Sequence, residues 1–118
     1  MRARKFLIGL FLITALSQQA MGSSQKGAMV YGVGSYSCGK WLSDTEKKGA
    51  FYYQNAQWVF GFLSAMNKTD AVVGDKPAKD IDADGRIAFI SKYCEEHPLN
   101  SISDAAVVLY AELKGLLK

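Results

Sequence analysis

KKGAFYYQNAQWVFGFLSAMNK, residues 47–68, is the stretch that decides the fold of this chain. Phe51, Asn55, Trp58, Val59, Phe62 and Met66 recur at intervals of three and four, which lines them along one side of an α-helix. Tyr52, Phe60 and Leu63 carry the apolar surface round to a second side, so this helix is expected to be central and covered by more than one neighbour. Gly61 and Ala65, one turn apart, would let another helix approach closely. Two uses are open to the aromatic stripe: packing in the core, or forming a surface that becomes exposed for a partner.

Outward from that helix, Thr69 to Ile81 carries Gly74 and Pro77 among charged residues and reads as a loop. A helix is expected from Asp82 or Asp84 through Ile87, Ile90, Tyr93 and Cys94 to His97, where Pro98 stops it. A last helix starts near Ser101, with Asp104 as a variant of the capping box. Its apolar face is Ile102, Ala105, Ala106, Leu109, Leu113 and Leu116. On the N-terminal side, Ser37 is an N-cap for a short helix that carries Cys38, Trp41 and Leu42 on one face. Residues 23–36, with scattered Gly and Ser around Met29-Val30-Tyr31, read as a flexible arm. No segment alternates as a strand would. The prediction is an all-α domain over residues 37–118, a small bundle of about four helices with one disulfide.

The first residues set the compartment. Arg2, Arg4 and Lys5 precede an apolar run from Phe6 to Leu16, and Ala20-Met21-Gly22 supplies small residues at a cleavage point. Residues 1–22 therefore read as a secretory signal peptide, and the run is shorter than the roughly 20 residues that span a bilayer. No cysteine follows it directly, so neither a lipid anchor nor any other stable membrane anchor is expected after cleavage. Three of the 14 basic residues leave with the leader, and the 11 that remain match the 11 Asp and Glu. A neutral mature chain offers no electrostatic case for nucleic acid or an anionic membrane. Its roughly 96 residues suffice for a single domain with a modest core.

Cys38 and Cys94 are an even pair in a small exported chain, which usually means a disulfide. Closing a loop of about 56 residues would contribute roughly 4 kcal/mol on the chain-entropy model. The alternative is two free buried thiols.

Candidate chemistry is sparse. Asp80, Asp82 and Asp84, followed by Gly85, match the start of an EF-hand calcium loop. Ser91 stands at the twelfth position, where calcium needs a bidentate Glu, and no helix is expected to enter the loop. Carboxylates that cap a helix explain the same cluster. Cys94 and His97 share a helix face, yet the cysteine has a disulfide partner and His97 is the one histidine. Zinc fails for the same shortage of ligands. Asn67-Lys68-Thr69 is a formal glycosylation sequon. With no glycine-rich phosphate loop and no Ser/His/Asp set, the sequence points to a binding protein without a cofactor rather than an enzyme.

Ser37-Cys38-Gly39-Lys40-Trp41-Leu42 and Ile90-Ser91-Lys92-Tyr93-Cys94-Glu95-Glu96-His97-Pro98, together with the leader and the domain size, resemble the HdeA/HdeB group of small exported bacterial acid-stress proteins. The resemblance spans most of residues 36–117. It implies a periplasmic protein, homodimeric near neutral pH, that loosens in strong acid and holds unfolding periplasmic proteins in solution. At pH about 2 its 11 carboxylates would be neutral and the charge about +12 with His97 counted. On that reading Phe51, Trp58, Val59, Phe62 and Met66 form the client-binding surface. The rival expectation is a periplasmic immunity protein that inhibits a peptidoglycan-degrading type VI secretion effector, contacting it through Tyr52 and Tyr53 or the loop Thr69–Lys79.

Overall fold

A computed structural model describes residues 27–118. The expected leader, residues 1–22, and the start of the expected arm, 23–26, lie outside the described residues. A 3-10 turn at Gly32–Ser35 precedes four helices: α1 (Cys38–Lys47), α2 (Ala50–Val73), α3 (Ala83–Glu96) and α4 (Ile102–Leu113). Among the described residues there is no strand, and the all-α bundle with its Cys38–Cys94 disulfide is as expected.

Three of the four helices begin on a side chain that answers their free N–H groups. The Ser37 Oγ accepts from the Lys40 N–H at 3.2 Å. Asp82 accepts from the Gly85 N–H at 2.7 Å, and Ser101 and Asp104 complete a reciprocal capping box. Only α2 lacks a side-chain cap and starts on Gly49. Its other boundary lies beyond expectation, because α2 runs on to Val73 instead of stopping near Lys68. Gly74 at φ 75° ends it, with the Asp75 N–H bonded back to the Asp70 carbonyl at 2.9 Å. The same arrangement at Gly115 (φ 71°) stops α4 before Leu116, which is exposed rather than part of the buried face.

The most deeply buried helix is α4, not α2. It packs on α1, α2 and α3, and Ile102, Ala105, Ala106 and Leu109 are closed off from solvent. The two alanines let the neighbouring helices approach, the role the sequence assigned to Gly61 and Ala65. Those two are exposed, and nothing lies within 4 Å of where a Gly61 Cβ would stand. Longer than its neighbours, α2 leaves Phe51, Tyr53, Val72 and Val73 in solvent near its two ends.

At one end of the bundle three chain segments are pinned together. Cys38 opens α1 and Cys94 lies in the last turn of α3, both fully buried. The Cys38 N–H donates to the Asn100 carbonyl at 2.7 Å and Gly39 to Pro98 at 3.1 Å, which satisfies the first turn of α1 from the α3–α4 connection. The Ile102 N–H answers by donating to the Tyr36 carbonyl at 2.9 Å. Trp41 is buried beside them, its indole N–H 2.9 Å from the Ser91 Oγ.

Candidate partner-binding surface

The five residues expected to bind clients do not form one surface. Val59 is 1% exposed and belongs to the core, clustered with buried residues of α1, α3 and α4. Met66 is half-buried against that core. Phe51, 60% exposed, sits apart beneath the Lys40 ammonium, 4.8 Å from its ring centre, in a recess shared with Tyr36 and Ser37. Trp58 and Phe62 are brought together: one turn apart on α2, their rings stack at 5.4 Å with an interplanar angle of 17°.

Part of the expected arm completes this aromatic pair. Residues 28–35 lie along α2 as a strap, where a free arm was expected. The Trp58 indole N–H donates to the Tyr31 carbonyl at 2.9 Å, and Val33 is buried. Gly34 is pressed so closely on the indole that any Cβ there would overlap the ring. Between strap and helix runs a trough of about 470 Å³ lined by Ala28, Met29, Val30, Tyr31, Trp58, Gly61 and Phe62. Met29 and Tyr31 are 78% and 76% exposed on its rim. Such a trough, apolar and with its Trp58 N–H already engaged by the Tyr31 carbonyl, suits an apolar segment.

Carboxylates fasten both ends of α2. Near its start, the buried Asp44 of α1 accepts from the Asn55 Nδ2 at 2.9 Å and pairs with Lys40. Burial pushes the Asp44 pKa up, but the hydrogen bonds from Lys40 and Asn55 outweigh it and hold the carboxyl below its ordinary range. The Asn55 Oδ1 is buried with no partner, a cost of about 1–3 kcal/mol at the same junction. Near its end, Asp70 accepts from the Tyr110 hydroxyl and from the Lys114 ammonium at 2.8 Å, which binds α2 to α4. Lys114 also reaches Asp75 at 3.0 Å. Hydrogen bonds from Lys114 and Tyr110 lower the Asp70 pKa; Lys114 and the Lys76 backbone lower that of Asp75. The two carboxylates in turn raise Lys114, while burial and then Asp70 raise Tyr110.

The remaining candidates are put to structural use. Asp80 takes the Arg86 guanidinium at 2.6 Å and Asp82 is occupied as the α3 cap. Asp80, Asp82 and Asp84 are thus not gathered into a calcium site, and among the described residues no three His, Cys, Asp or Glu side chains group as metal ligands. Cys94 is in the disulfide, and the His97 ring lies 4.6 Å from Tyr93 at the end of α3. Half of the loop expected at Thr69–Lys79 is helix, and the rest is pinned: the Lys79 N–H donates to Leu113 and the Ala78 N–H to the Asn67 Oδ1, both at 2.9 Å. Asn67 therefore serves the fold from within α2 through its Oδ1. Tyr53 is exposed, edge-on to Tyr52.

Sequence reasoning missed the Asp70–Tyr110–Lys114 cluster and the strap. The first joins residues about 40 positions apart. A hint of the second was the uncharged run Ala28–Tyr36. Fold and surface together define a disulfide-linked four-helix domain with an aromatic trough, and no helix among the described residues is long and apolar enough to cross a membrane. Comparison with protein-family models, curated proteins and solved structures found no match to this chain.

Proposed function

We propose that this chain is an exported, acid-activated holdase of the HdeA-like kind, which keeps unfolding periplasmic proteins in solution through the face of α2 that carries Trp58 and Phe62. The observation that carries this reading is the fastening of α2, the aromatic helix, by carboxylates at both ends. Asp44, Asp70 and Asp75 all have lowered pKa values in the folded state. Their stabilisation is complete above the ordinary carboxylate value, 3.8, and is lost as pH falls through the lower folded values. Once Asp70 and Asp75 are neutral, Lys114 is a nearly buried ammonium without a counter-charge, which favours parting α4 from α2. The disulfide does not titrate, so the loosened chain stays cross-linked with its aromatic residues uncovered.

Light scattering of an acid-labile client at pH about 2–3, with and without the oxidised protein, tests this. Aggregation should fall in acid and be unaffected at pH about 7, where the carboxylates are charged. No suppression at molar excess overturns the reading and makes the exposed Tyr53 the first place to seek an effector contact.

A further inference from the structure

We propose that the strap at residues 28–34 is a ligand held in cis: the Trp58–Phe62 face of α2 binds extended, uncharged polypeptide segments, and the chain's own arm occupies it until displaced. Three contacts describe what the face accepts. The Trp58 indole N–H takes a backbone carbonyl, that of Tyr31, at 2.9 Å, which any polypeptide can supply whatever its side chains. Gly34 lies flat on the indole with no room for a Cβ, so the docked segment needs a glycine at that point. Val33, one residue earlier, is buried, so a small aliphatic side chain anchors the segment beside the glycine.

Few hydrogen bonds hold the strap, whose 3-10 turn packs on α2 and α4. Up to Ser35 its one hydrogen bond to the helices is that from Trp58; the Ser35 Oγ bonds within the strap, to the Gly32 carbonyl. The next tie is the Ile102 N–H on the Tyr36 carbonyl, where the strap joins α1 and a hinge would lie. Nor does it fill the face, for the trough between Ala28–Tyr31 and α2 stays open. A competing segment can enter there before the strap has left. Residues 28–36, AMVYGVGSY, contain no charge and combine aliphatic, aromatic and glycine residues. The partner is accordingly an extended apolar stretch of an unfolded chain with a Val-Gly or similar small pair.

This rests on reading α2 as the client surface, but its test needs no acid. A labelled nonapeptide AMVYGVGSY is titrated at pH about 7, where the carboxylates are charged, into the oxidised protein and into Val33→Asp and Gly34→Val, each of which unseats the strap and leaves α2 unaltered. Anisotropy should show binding at least about tenfold tighter to either strap variant than to the unaltered protein. A peptide with valine in place of its second glycine should not bind. In the unaltered protein, excess peptide should shift the Trp58 indole N–H resonance as it displaces the Tyr31 carbonyl. Equal or absent binding to a strap variant with intact helical circular dichroism overturns the proposal. So does an unmoved Trp58 resonance at saturating peptide, a readout that requires no variant to fold. Failure here leaves acid holding untouched, and failure of acid holding leaves the peptide site untouched.

Discussion

At Gly34 a hydrogen atom faces the Trp58 indole where a methyl group would overlap it. Gly34→Ala should therefore destabilise the domain by about 1–3 kcal/mol, the usual cost of overpacking. Urea unfolding followed by circular dichroism measures it, and, with Trp41 buried in the core, a red shift of the folded-state emission should show the strap lifting from the Trp58 indole. Gly61 gives the opposite sign. It lies within α2 with open space where its Cβ would stand. Gly61→Ala should stabilise by about 0.5–1 kcal/mol through helix propensity alone. In the sequence Gly61 looked like the close-approach glycine, because its spacing from Ala65 suits helix packing. Spacing cannot say which side of a helix finds a neighbour, and here that side faces solvent.

For the elements, the start signals were legible and the stops less so. Ser37, Asp82 and Ser101 cap the helices that they precede, because a cap is a contact between residues three apart and needs no tertiary partner. Ser101→Ala removes the acceptor for the Asp104 N–H and the hydroxyl that donates to the Asp104 carboxylate, leaving that carboxylate only the backbone N–H of residue 101. It should cost about 1 kcal/mol in thermal or denaturant unfolding. The continuation of α2 through Asp70 to Val73 was read as loop, since Gly74 and Pro77 lie close by. What holds that last stretch is Asp70 against Tyr110 and Lys114, residues of another helix.

At the scale of the molecule, the disulfide and the carboxylate ties join different pairs of helices and respond to different conditions. The bond joins the start of α1 to α3, and its reduction should lower stability by roughly 4 kcal/mol on the chain-entropy model, read as a fall in the urea midpoint. The ties on α2 respond to acid. Asp70→Asn removes a carboxylate whose folded pKa is depressed. The variant should be less stable than the unaltered protein at pH about 7, and the difference should shrink as pH falls below the ordinary carboxylate value. Paired melting curves from pH about 7 to 2 decide it, and a constant difference would assign Asp70 a purely steric part.

Residues 27–118 show how far the sequence reaches. Helical periodicity, serine and aspartate caps, and the Cys38–Cys94 pair were enough for an all-α bundle of four helices with one disulfide, because each is local or follows from a count of two cysteines. Tertiary structure alone decided that α4 is the innermost helix, that Val59 lies in the core while Trp58 and Phe62 border a trough, and that part of the arm lies on α2. It also decided that Asp44 and Asp70 fasten the aromatic helix at both ends. The physical reason is the same in each case. An amphipathic pattern says that a helix buries a face, but which face is covered, and by what, depends on contacts between residues tens of positions apart.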